Sequence, residues 1–161
     1  MSTAHEWPWT RSHVTACLIA TLCLLSALQA IHAKVHGAGH SEVSKAIAHL
    51  GWVRQLQDRL TDAAQLFEEA LQIRERCLGE FHADVGVLLA QLANVRQLQR
   101  RGHEAADIYK RALTIQQRAV GDSHLDVATT LGNLGRCLAR LGRLAEAEDA
   151  YRSSSAIFEQ Q

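Results

Sequence analysis

Proline is nearly missing from this chain. Pro8 is the only one in 161 residues, and it precedes every patterned segment. Aromatic residues are also scarce, at 5%. A β-sandwich needs aromatic strands and frequent turn breakers, so both scarcities point to helix. No charge excess exists: Lys+Arg and Asp+Glu both count 17. That removes the basic footprint of a nucleic-acid-binding face. No G-x-S-x-G, HExxH, P-loop or GxGxxG pattern occurs. Enzyme chemistry therefore has no positive feature, and neither catalytic residues nor cofactors are expected. The four cysteines, Cys17, Cys23, Cys77 and Cys137, form no CxxC pair, so a zinc knuckle or thioredoxin-type motif is not indicated. Cys77 and Cys137 fall at apolar positions and read as small buried hydrophobes in a reducing compartment. His32, His36 and His40 have the four-residue spacing of ligands on one helical face, but Gly37 and Gly39 break the run, and no metal site is expected. No Asn-x-Ser/Thr sequon supports export.

What the chain does have is itself, repeated. "GAGHSEV" at 37–43 returns as "GEFHADV" at 79–85 and "GDSHLDV" at 121–127. Gly37, Gly79 and Gly121 are 42 residues apart, as are His40, His82 and His124, and Val43, Val85 and Val127. Residues 37–78 laid over 79–120 match in 17 of 42 columns, including "VRQLQ" at 53–57 and 95–99. A fixed period in this range marks stacked repeats.

Each copy carries two apolar stripes at helical spacing. The first runs Val43, Ile47, Leu50, Val53, then Val85, Leu89, Leu92, Val95, then Val127, Leu131, Leu134, Cys137. The second runs Ala63, Leu66, Phe67, Ala70, Leu71, then Ala105, Ile108, Tyr109, Ala112, Leu113, then Ala147, Ala150, Tyr151. Small residues (Gly51, Ala93, Gly135 and Ala63, Ala105, Ala147) mark where the two helices approach closely. The polar segments "QDRLTD", "QRRGHE" and "ARLGRLAE" between stripes are short, which forces antiparallel neighbours. Each copy is a helical hairpin that buries its apolar face only by stacking. Gly121 is expected to end a helix in the left-handed conformation. His124 is expected to pack or hydrogen-bond in the linker.

The order Leu134-Gly135, Gly142, Ala147, Tyr151 resembles the tetratricopeptide repeat. So do Leu50-Gly51, Ala63, Phe67, Ala70 and Leu92-Ala93, Ala105, Tyr109, Ala112. The usual period of that repeat is ~34 residues. The 42-residue form is similar to the repeats of kinesin light chain. The family's linker His-Pro is replaced by His40-Ser41, His82-Ala83 and His124-Leu125, and Asp58 and Arg100 stand where Gly142 survives in the third copy. The resemblance implies an all-α chain, a right-handed α-solenoid of stacked antiparallel hairpins. Three repeats are expected within 36–161, at 43–78, 85–120 and 127–161.

In such a stack the first helices line the concave side. Residues one step off their buried stripe are His49, Gln91 and Asn133, then Trp52, Asn94 and Arg136, then Gln55, Gln97 and Ala139. Asparagine amides offer donors and acceptors to a peptide backbone. The resemblance implies a peptide role for Asn94 and Asn133, which match asparagines of peptide-carboxylate clamps. The clamp's lysine place holds Ala90, so the carboxylate clamp is incomplete. The expected function is a non-catalytic scaffold for a protein or peptide. Arg136 and Arg140 bias its C-terminal end towards acidic partners. Gln161 falls within the last helix, whose free face is open to a following repeat or to self-association.

Residues 1–35 read differently. Between Arg11 and Lys34 lie 22 residues without Asp, Glu, Lys or Arg, including the apolar run 14–31. One reading is a helix packed on the first repeat, with Ile31 in register with Ile73, Ile115 and Ile157; that gives a cytoplasmic protein. The other is a signal or membrane anchor, with Ala30 and Ala33 as small residues for cleavage; that gives an exported or membrane-tethered adaptor.

Overall fold

The structure, a computed structural model, describes residues 40–160. The segment 14–31, with His32, His36, Cys17 and Cys23, lies outside the described residues. Six helices account for the described chain: α1 His40–Leu56, α2 Leu60–Leu78, α3 Ala83–Leu98, α4 Gly102–Val120, α5 Leu125–Arg140 and α6 Leu144–Glu159. They pair as hairpins α1–α2, α3–α4 and α5–α6. The hairpins stack through α2 against α3 and α4 against α5. Helices α3 and α5 also touch directly, which puts the first helices on the inner side of the stack. Among the described residues no helix is long and apolar enough to cross a membrane.

The two stripes meet as the pattern requires. Val53, Phe67, Ala63 and Ala70 are buried in the first hairpin; Val95, Tyr109, Ala105 and Ala112 repeat them in the second. Gly51 faces the Phe67 ring and Gly135 the Tyr151 ring, so the helices close at these two places. Cys137 is buried, and its Sγ donates to the Gly102 carbonyl at 3.3 Å. Cys77 departs from expectation. It is exposed, in the last turn of α2. Ser154, in place of an alanine, is buried and donates to the Ala128 carbonyl at 2.8 Å. Polar joints add to the apolar stack: Arg96 on α3 pairs with Glu68 of α2 and lies 3.2 Å from Glu104 of α4.

The linkers follow one plan. His82 and His124 are N-caps, each accepting from the N–H two residues on (Asp84 and Asp126) through Nδ1 at 3.2 and 3.1 Å. This satisfies one of the four N–H groups that a helix start leaves free. Gly79 and Gly121 do have positive φ, 86° and 88°, but ψ is 155° and 163°. The expected left-handed helical cap is thus replaced by an extended conformation open essentially to glycine alone. It turns the chain straight into the linker instead of adding a closing turn.

Within the hairpins, Gly142, Asp58 and Arg100 all take positive φ, at 78°, 60° and 66°. A side chain strains this conformation. Arg100→Gly is therefore expected to raise stability by ~1 kcal/mol, read by urea unfolding. A loss of stability would mean that the Arg100 side chain contributes more than the strain costs.

Tyr109 is fully buried, with the Arg136 side chain near its hydroxyl. Burial pushes its pKa up to about 12, with the Arg136 charge opposing the shift. The unfolded chain releases this proton near the ordinary value of ~10, whereas the folded chain keeps it longer. Folding stability should therefore fall between about pH 10 and 12, by roughly 2–3 kcal/mol from this group. Tyr109→Phe should remove that fall at little cost near pH 7. Equal alkaline slopes in both chains would contradict the assignment.

Candidate functional site

The inner face carries two adjoining hollows. The first, about 350 Å³, lies between α1, α2 and α3 and is lined by Lys45, Ala48, His49, Trp52, Phe67, Arg74, Asp84, Val87, Leu88 and Gln91. The second, about 210 Å³, lies between α3, α4 and α5 and is lined by Val87, Ala90, Gln91, Asn94, Gln116, Asp126, Thr129, Thr130 and Asn133. Val87 and Gln91 belong to both, so the two hollows adjoin along α3.

The repeat explains the geometry. Each residue of the second hollow lies 42 positions beyond a residue of the first. The wall changes character along the way. Trp52, Val87 and Leu88 become Asn94, Thr129 and Thr130, so an apolar compartment leads into a polar one. Trp52 is 45% exposed and offers a flat apolar surface. The first compartment also holds a buried cation. Arg74 is 4% exposed; its Nε donates to Ser44 Oγ at 3.1 Å and its Nη1 to the Asp84 carboxylate.

Of the expected groove residues, His49, Trp52, Gln91, Asn94 and Asn133 line these compartments. Arg136 is exposed beside them, and its Nη2 donates to Asn133 Oδ1 at 2.9 Å. Gln55 is half-buried and lines neither hollow. Gln97 is 5% exposed and lies with Arg140 in a separate hollow of about 170 Å³ by the turns, beside Arg100 and Cys137. The reason is helical phase. A step of three residues falls ~60° short of a full turn. Two steps from Gln91 to Gln97 therefore rotate the side chain ~120° off the groove face. Arg140 keeps the phase of Asn133 but lies two turns further along α5.

Sequence reasoning missed the contribution of the second helices, Arg74 and Gln116, and the acids at the start of α3 and α5. A signal existed. The first turn of each first helix carries an acid (Glu42, Asp84, Asp126). Arg74 and Gln116 stand as polar residues in an otherwise apolar face.

Comparisons with known proteins place this geometry. Family models of the tetratricopeptide repeat match residues 43–84 and 84–160. No curated protein matches the sequence. Among solved structures, BtubC (BKLC) from P. vanneervenii superposes with a TM-score of 0.71 at 23% identity, over 76% of this chain and 48% of that one. Nearly identical TPR-like repeats from Podosopora anserina, attributed to a kinesin light chain, give 0.67 at 19% identity, over 92% of this chain and 69% of theirs. A single-substitution form of the same repeats gives 0.68 at 17% identity, over 91% of this chain and 67% of that one. The chain thus spans about half the length of BtubC. Six helices in stacked hairpins, the repeat-model matches and these neighbours agree on an all-α solenoid, a protein-interaction scaffold fold. The chain belongs to the tetratricopeptide repeat family, with repeats of the long, kinesin light chain-like form.

Proposed function

We propose that this protein is a non-catalytic scaffold that binds a peptide segment of a partner protein along the α1, α3 and α5 groove. The observation that carries the reading is that two hollows adjoin at Val87 and Gln91 on the inner face. Trp52 supplies an apolar platform at one end. Asn94 and Asn133 supply amide donors and acceptors for backbone at the other. Arg136 and Arg140 lie at the C-terminal end and favour acidic side chains that pass beyond the groove. Self-association through α6 is a lesser route. Its Leu144, Tyr151 and Phe158 are exposed at 68%, 42% and 52%.

The test uses a peptide selected from a random display library against the whole chain. Asn94→Ala, Asn133→Ala and Arg136→Ala together should weaken its binding about tenfold or more, since each lost polar contact costs ~1–3 kcal/mol. Calorimetry reads the affinity, and thermal unfolding shows that the variant is folded. Unchanged affinity would exclude these residues as the site.

A further inference from the structure

We propose that the second compartment, between α3, α4 and α5, receives the guanidinium of an arginine side chain on the bound partner. This rests on the groove reading above and assigns chemistry to one part of it.

The chain shows the same place twice, once filled. In the first compartment Arg74 supplies the cation from within, tied to Ser44 and to Asp84 in the first turn of α3. One repeat on, Asp126 keeps the acid in the first turn of α5, but Gln116 replaces the arginine. The carboxylate remains and its internal cation is gone. Gln116 is 2% exposed and lines this compartment, and its Oε1 is buried without a hydrogen-bond partner. His124 Nδ1 lies 3.5 Å from the Asp126 carboxylate and accepts from the Asp126 N–H.

A guanidinium fits this arrangement. It carries five donors and no acceptor, so it can pair with the carboxylate and, once the Gln116 amide turns its Oε1 into the compartment, donate to that oxygen as well. A lysine ammonium concentrates its donors at one point and spans the two acceptors less well. A carboxylate ligand would meet Asp126 with like charge. An apolar one would leave Gln116 Oε1 unpaired, at the cost of a buried acceptor. The α5 N-terminus opposes a cation only weakly, for Arg74 already lies beside the equivalent end of α3. The volume of about 210 Å³ suits a side chain.

The test titrates the whole chain with N-acetyl-arginine amide and, separately, with N-acetyl-citrulline amide, which has nearly the same shape without the charge. Nuclear magnetic resonance should show saturable shifts at the side-chain amides of Gln116 and Asn133 and at the first turn of α5. Citrulline should bind about fivefold more weakly or worse, the worth of ~1 kcal/mol of ion pairing. Asp126→Asn, a change at a half-exposed side chain, should weaken arginine binding by a similar factor. Gln116→Arg should abolish it, because the chain then supplies its own cation as it does at Arg74. Thermal unfolding checks that both variants are folded, and Asp126→Asn decides the matter if Gln116→Arg is not. A flat titration, an equal response to citrulline, or arginine binding unchanged by Asp126→Asn overturns the proposal. The display-selected peptide, run on the same samples, separates the two claims. If it binds the groove while arginine does not respond, only the arginine subsite falls. If it binds away from α1, α3 and α5, the groove reading itself falls.

Discussion

Phe67→Ala should lower folding stability by ~3–5 kcal/mol, a large share of what a domain of this size holds. The Phe67 side chain is 1% exposed and belongs to the core shared by α2 and its neighbours. Its ring fills the space opposite Gly51, where an added Cβ would lie only 3.3 Å from Cε1 and Cζ. Without the ring, the surroundings cannot collapse. Ala63, Ala64 and Ala70, buried residues on the same helix, have no side chain long enough to swing inward. A cavity therefore persists, and its cost adds to the lost burial. Leu144→Ala, at 68% exposure, serves as the control and should change little. Urea unfolding reads both. A Phe67→Ala loss below about 1 kcal/mol would show that the hairpins do not close as described.

Gly86→Leu should cost ~3 kcal/mol, the upper end of ordinary overpacking. A Cβ at Gly86 would stand 2.6 Å from Gln116 Cγ and 3.2 Å from the Ala112 carbonyl oxygen. A leucine there must drive α3 away from α4. Alanine at the same place is milder, since the clash is set against a helix-propensity gain of ~1 kcal/mol. The double variant Gly86→Ala with Gln116→Ala removes the nearer obstacle. It should be more stable than the sum of the two single changes predicts, which a double-mutant cycle measures directly. Zero coupling would refute the close approach of Gly86 and Gln116. In a stacked-repeat protein each repeat rests only on its neighbours, so hydrogen exchange should rise first in α3 and α4.

Much of this architecture was legible in the 42-residue period. The stripes from Val85 to Val95 and from Ala105 to Leu113 are a direct consequence of helical spacing, and they are buried almost throughout. His124 was legible as a linker residue that packs or bonds, though not as an N-cap. A cap depends on backbone dihedrals that no residue pattern displays. Gly121 was legible as a positive-φ position. Its ψ of 163° was not, because glycine has access to both regions and the linker path decides between them. Cys77 escapes the stripe logic, because helical spacing alone carries the stripe on into the last turn of α2, where the side chain is exposed.

The groove was legible by halves. Counting by threes along the first helix finds Gln91 and Asn94 but drifts off the face by Gln97. The floor supplied by Arg74 and Gln116 comes from the second helices. Their role depends on which hairpin stacks on which, a relation between residues far apart in the chain. Reading down the 42-residue columns finds it: Asp84 and Asp126 keep their acid while Arg74 gives way to Gln116.

The central claim is that the α1, α3 and α5 face is the binding surface. The most direct measurement is an amide chemical-shift map of the whole chain with and without the display-selected peptide. The account predicts shifts that concentrate at Trp52, Gln91, Asn94 and Asn133, with the outward faces of α2, α4 and α6 unchanged. Shifts confined to α6 around Leu144 and Phe158, or to the outward faces, would contradict it.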